Sequence, residues 1–291
     1  MDGSGMGYEE GQQAAQPRAQ SIDHSKQERP IRPGVNRQGL AGSAAGVPVS
    51  QSEKKPMNNS KLDVPGGPQS LANLIKQDSS AIYDSKEEPL QNPEPQLRQA
   101  VENLKSSDWA KIFEACNVIK RGVLFHKNLF AHPNPMSAQI FKDITKPVES
   151  LRSQVAKNAC ITLSIIFSEL APRDVDSHVE TVLPVILKRA TDTNQFIQQE
   201  AEKTLVAICN NCTETRVFTA LQAQNMKSSV YKEKLCLCYT VLIERLSHRL
   251  KNFRDLERLV QNVVRFLSEG AVEVRNQAKY AVLTLQSVCG S

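Results

Sequence analysis

The residues able to do covalent or metal chemistry in this chain are dispersed. Its five histidines are His24, His126, His132, His178 and His248, and none shares a local motif with a thiol or a carboxylate. Only His126 and His132 flank a common turn. No glycine-rich phosphate loop, HExxH or GxSxG occurs, so the spacings that seat a phosphate or pair a nucleophile with its base are missing. Of the seven cysteines, Cys209 and Cys212 have CxxC spacing, yet they close an apolar helix without a histidine pair beside them. Cys236 and Cys238 have the wrong spacing for a zinc knuckle. The cysteines therefore read as small buried hydrophobes, and their odd number without a signal peptide suggests a reducing compartment. The expectation is no enzyme, no metal and no cofactor. What does recur is a set of short polar turns bearing cations and the single tryptophan, which is a chemistry of recognition.

Those turns occupy residues 106–109, 146–152, 191–195, 226–229 and 269–273. Most neighbours are about 43 residues apart and one pair about 35, the period of HEAT-type repeats. The elements that must position them are helices, because apolar residues recur at the 3.6-residue period on both sides of each turn. Leu97, Val101 and Leu104 mark one face; Ile112, Ala115, Cys116, Ile119 and Val123 mark the next, after Ser107 and Asp108 as caps. Further pairs run through Ile140 and Ile144 with Val155, Ala159, Leu163 and Ile166, then over 175–190 with 196–209, 215–224 with 230–246, and 255–268 with 272–288. The second helix of each pair is the more apolar, as expected if second helices line one face of a layered array. No alternating strand pattern occurs. The expected fold class is all-α, a HEAT-repeat solenoid of about five helix pairs over 94–291. A solenoid sets its intra-pair turns along one edge, which makes a continuous surface for another macromolecule.

Residues 1–93 are rich in Gln, Ser, Gly, Pro and Asn with sparse, unpatterned apolar residues. Such a segment cannot offset its ordering entropy and reads as a disordered N-terminal tail. Within it, residues 71–76 read either as linker or as a short docking helix. The N-terminus has neither a signal-peptide pattern nor a glycine for myristoylation, and no apolar run is long enough to span a membrane. Of 36 Lys and Arg and 31 Asp and Glu, 10 and 11 fall in residues 1–93, leaving 26 and 20 for the rest. That modest basic excess suits an acidic partner, but no basic block is interleaved with aromatics, so nucleic acid is not expected.

The turns are not generic. Ser107-Asp108-Trp109-Ala110-Lys111 opens the first second-helix, residues 151–160 (LRSQVAKNAC) the second, residues 194–205 (NQFIQQEAEKTL) the third, and Val272-Glu273-Val274-Arg275 the fifth. In this order, over about residues 95–291, they resemble a TOG domain of the CLASP and crescerin (TOG-array axonemal regulator) type. The resemblance implies a flat paddle of HEAT repeats whose intra-repeat loops bind αβ-tubulin or microtubules and regulate microtubule dynamics or stability. It implies Trp109 packing on tubulin, and Ser107, Lys111, Ser150, Arg152, Asn194, Gln195, Lys227, Ser228, Lys232 and Arg275 as contacts. It also implies a cytoplasmic, cytoskeletal location, at the cilium, axoneme or centrosome, with the tail available to ciliary or centrosomal proteins. Two features depart from the family. Tyr231 stands where an arginine is usual, with Lys232 next to it, and five helix pairs are found where six are usual.

Each contact has a structural alternative. Trp109 could be a core or staple residue, although its polar turn favours exposure. Arg152 and Arg275 could pair with acids of neighbouring repeats. Asn194 could serve as an N-cap, and Lys227 as a solvated charge. The alternative function is a HEAT scaffold for a ciliary or centrosomal protein other than tubulin.

Overall fold

The computed structural model of the protein describes residues 88–225 and 228–290. Lys227 and the stretch 71–76 lie outside the described residues. Among the described residues, ten helices longer than eight residues fall into five antiparallel pairs: α1 (Pro93–Asn103) with α2 (Trp109–Phe125), α3 (Pro135–Val148) with α4 (Ser153–Glu169), α5 (Val179–Arg189) with α6 (Gln195–Asn211), α7 (Glu214–Gln222) with α8 (Ser229–Leu246), and α9 (Leu256–Phe266) with α10 (Val272–Cys289). Among the described residues there is no strand. The all-α solenoid of five pairs expected from the periodicity is the observed architecture.

Helix starts follow local chemistry. Pro93 and Pro135 open α1 and α3, where a missing N–H costs nothing. Asp108, Asn134 and Asn194 cap α2, α3 and α6, each accepting from the backbone N–H two residues on.

The even-numbered helices form one layer, each packed on the next, while the odd-numbered helices cover it in a second layer. Small residues make the close approach possible: Ala156, Ala159, Cys160 and Ala201 are fully buried where α4 meets α6. Leu163, Ile166, Leu205 and Ile208 fill the same layer with at most 1% exposure. Removing a side chain of that kind typically costs about 2–5 kcal/mol. At the α1–α2 crossing Gly122 provides the clearance, since a Cβ there would stand 2.7 Å from Leu97 Cδ2. Just ahead of α1, Leu90 is buried, and the Arg121 guanidinium donates to the carbonyls of Glu88 and Pro89 at 2.7 and 3.3 Å.

Three buried threonines inside the layer are satisfied in a repeating way. Thr162, Thr204 and Thr240, all fully buried, donate to the carbonyls of Asn158, Glu200 and Cys236 one turn back. Thr204 also reaches the Cys160 carbonyl of the preceding repeat at 2.9 Å, and Asn158 donates to Phe113 O and Asn117 Oδ1 at 3.0 Å each. These bonds set the register between repeats, because a slip would strand buried donors at about 1–3 kcal/mol apiece.

Candidate functional site

Because the even-numbered helices run in one direction, their N-termini line up along one edge, and the five intra-pair turns sit there. In the first turn, Ser106 Oγ accepts from Asp108 N at 3.0 Å and Asp108 Oδ1 accepts from Ala110 N at 2.9 Å. This capping leaves Trp109 as the first residue of α2, 47% exposed. Ser107 and Lys111 beside it are exposed as well.

In the second turn, Ser150 Oγ accepts from Arg152 N at 3.2 Å, and Arg152 occupies the N-cap position of α4 in an extended conformation. Its guanidinium lies over the Trp109 ring, 5.4 Å from the centroid. The sequence motifs of two successive turns are thus joined by a cation–π contact. Arg189 ties this turn to the third: its guanidinium donates to Ser150 O at 2.6 Å and pairs with Asp192 at 2.8 Å. Lys188 pairs with Glu149 at 2.8 Å.

In the third turn, Asn194 Oδ1 accepts from Phe196 N at 3.1 Å, so the N-cap alternative for Asn194 holds whatever else it does. Gln195 is exposed. In the fourth, Ser228 is the exposed N-cap of α8 without a side-chain capping bond. Tyr231 is buried, and its hydroxyl donates to Gln224 Oε1 at 2.8 Å. Burial pushes the Tyr231 phenol up to about 12. The departure from the family's arginine is therefore a packing residue. Lys232 donates to both Glu269 oxygens at 2.8 and 2.7 Å, linking the fourth turn to the fifth. Arg275 donates to the carbonyls of Glu269 and Gly270 at 2.8 and 2.6 Å, bracing the turn that precedes its own helix.

The sequence reading missed the apolar half of this edge. Leu151 is completely exposed, Phe196 69%, Val272 52% and Val230 41%. With Trp109, each turn presents one large apolar side chain within two residues of an N-cap. The signal was available in the sequence: a large apolar residue in a polar turn has no core to enter, and a row of them marks an interaction surface. Lys157 was also missed; its ammonium lies 5.7 Å from the Phe196 ring centroid. Arg152 and Lys157 both face aromatic rings rather than carboxylates, and the aligned helix N-termini add partial positive charge. The edge is an apolar row with cations set into it.

The opposite edge carries the connections between pairs. There a cleft of about 280 Å³ is lined by Phe130, His132, Asp174 and His178, among others. His132 N donates to Asp174 Oδ1 at 2.9 Å, and the His178 ring stacks on Phe141 at 4.0 Å. Burial lowers the His178 pKa, and His132 nearby lowers it further. Asp143, Asp174 and Glu200 are buried carboxylates, and Lys146, Arg173 and Lys203 lie within 4 Å of them respectively. Among the described residues no three His, Cys, Asp or Glu side chains group so as to hold a metal ion, and no helix is long and apolar enough to cross a membrane.

The family model described as CLASP N terminal matches residues 125–291, more than half of the chain. The chain belongs to the CLASP N-terminal family. It is 31% identical over 144 residues to the human TOG array regulator of axonemal microtubules protein 1, covering 49% of this chain and 8% of that protein. With the Mus musculus protein of the same name the identity is 26% over 205 residues, 68% of this chain and 11% of the other. The chain thus spans about a tenth of the length of these relatives. Among solved structures, a chain from work on tubulin recruitment and assembly by microtubule polymerases with Tumor Overexpressed Gene (TOG) domain arrays superposes with a TM-score of 0.53 at 16% identity, covering 65% of this chain and 40% of that one. The MAST/Orbit N-terminal domain gives 0.52 at 12% identity, covering 70% and 87%. At these identities the superpositions establish the fold of this CLASP N-terminal chain as one shared with both.

Proposed function

We propose that this domain binds αβ-tubulin through its intra-pair turn edge and so regulates microtubule dynamics or stability. The observation that carries the reading is the Trp109–Arg152 contact at the head of a row of exposed apolar residues, one per turn. A half-exposed aromatic set among cations is what an interface anchor requires, and the flanking apolar residues would exclude water around it. The family and the relatives named for axonemal microtubules support tubulin as the partner and a cytoskeletal, axonemal site of action. In this reading Trp109 is the apolar anchor, Arg152 and Lys111, which pair with no carboxylate among the described residues, meet acidic groups of the partner, and Ser107, Ser150, Asn194, Gln195, Lys227 and Ser228 complete the polar rim. Lys232 and Arg275 act mainly by holding the fourth and fifth turns in place.

A second reading is a HEAT scaffold for a different ciliary or centrosomal protein. The fourth turn favours it, because Tyr231 is buried and Lys232 is taken up by Glu269. Size-exclusion chromatography with purified αβ-tubulin, together with microtubule pelleting, separates the two. Co-elution or co-pelleting at tens of micromolar supports tubulin; failure in both assays supports the scaffold.

A further inference from the structure

Between the second and third turns lies a cleft of about 190 Å³ lined by Ser153, Gln154, Lys157, Asn194, Phe196 and Ile197. Every polar side chain on its wall can donate: one ammonium, two side-chain amides and a hydroxyl, with no carboxylate among the lining residues. The Asn194 side-chain oxygen is already engaged by Phe196 N, which leaves its NH₂ group to face a ligand. Lys157 is half-buried, and its ammonium rests on the Phe196 ring without a carboxylate partner among the described residues. The basic residues around it are differently placed. Lys188 is held by Glu149, Arg189 by Asp192, and Lys203 by Glu200. A partly desolvated ammonium resting on a ring is weakly compensated, and an arriving carboxylate would gain charge-assisted hydrogen bonds at little ordering cost.

We propose that this cleft receives a single acidic side chain of the partner, an aspartate or glutamate seated on Lys157 and the amides of Gln154 and Asn194, with Phe196 as its apolar wall. Neither Lys157 nor Phe196 is among the contacts that the family resemblance implies. The proposal rests on the reading of the turn edge as the tubulin-binding surface, and it makes Lys157 a specificity-determining residue on that edge.

The test uses the whole chain and purified αβ-tubulin as the probe. Affinities are measured for the wild type, Lys157→Met, Lys157→Arg and Trp109→Glu at low and at near-physiological salt. Lys157→Met keeps the apolar stem over Phe196 and removes only the charge. It is expected to weaken binding about tenfold at low salt and less at higher salt, because a charge contact is screened. Lys157→Arg is expected to stay within about threefold of wild type, since it retains the charge. In the wild-type complex, carbodiimide coupling is expected to join Lys157 Nζ to a tubulin carboxylate in a zero-length amide identified by mass spectrometry. If Lys157→Met binds within about twofold of wild type at both salts, or if the saturated complex yields no amide at Lys157, while Trp109→Glu still abolishes binding, the cleft proposal is wrong and the edge reading stands. If Trp109→Glu binds as the wild type does, or the wild type does not bind at all, the edge reading fails and takes this proposal with it.

Discussion

The Arg152 guanidinium covers the Trp109 ring at 5.4 Å, joining the first turn of the edge to the second. Exposed cation–π contacts contribute about 0.5–1 kcal/mol. A double-mutant cycle of Arg152→Ala and Trp109→Ala in urea unfolding should therefore give a coupling energy of about that size. Arg152→Glu should fold normally and weaken tubulin binding, more at low salt than at high. Lys251→Glu, on the connection between α8 and α9 at the other edge, should change binding little. Equal losses from both reversals would show only a general charge effect.

Tyr231 is expected to tolerate loss of its hydroxyl far better than replacement by the family's usual arginine. Tyr231→Phe removes one hydrogen bond, to Gln224, and should cost about 1 kcal/mol. Tyr231→Arg would bury a guanidinium in a site that is 3% exposed and should cost more than about 3 kcal/mol. Chemical denaturation of both variants checks the order; a stable arginine variant would mean that α8 can turn this position outward.

These two positions show what was legible in the sequence. The helix pairs, the turn edge and the caps at Asp108 and Asn194 followed from local signals, whereas Ser107, also expected to cap, makes no capping bond. Trp109 and Arg152 were identifiable as candidates, yet their contact depends on how far one repeat is offset from the next, which no local pattern encodes. The same applies to Lys232 and Arg275, whose basic character was visible but whose partners, Glu269 and its carbonyl, were not. The row formed by Leu151, Phe196, Val230 and Val272 was overlooked because each is a lone apolar residue in its own turn. Only the stacking of α2, α4, α6, α8 and α10 makes them neighbours.

The His178 ring, stacked on Phe141, should make stability fall on mild acidification. Burial, with His132 beside it, lowers its pKa below the ordinary 6.5. The unfolded chain then binds a proton that the fold resists. This contribution is complete above about 6.5 and is lost as pH falls from there toward the folded-state value. Stability measured from pH 7.5 down to 5 should decline in the wild type and decline less steeply in His178→Gln. Parallel profiles would rule out His178 as the source.

The cysteines should separate sharply by reactivity. Burial pushes the Cys116, Cys160 and Cys236 thiols up to about 12, and only Cys289 is exposed. Titration with an aromatic disulfide at pH 8 should label one thiol quickly in the native protein and all seven after denaturation. Rapid native labelling of several thiols would contradict the packing between α4, α6 and α8.

The measurement that bears most directly on the turn edge is tubulin affinity of the whole chain with Trp109→Glu, paired with circular dichroism. A glutamate at the first position of α2 suits the helix N-terminus, so the helical signal and melt should be unchanged. Binding should weaken by at least about 30-fold, the loss of a desolvated anchor contributing about 2 kcal/mol or more. A folded variant that binds tubulin as tightly as the wild type would contradict the assignment of this edge as the binding surface.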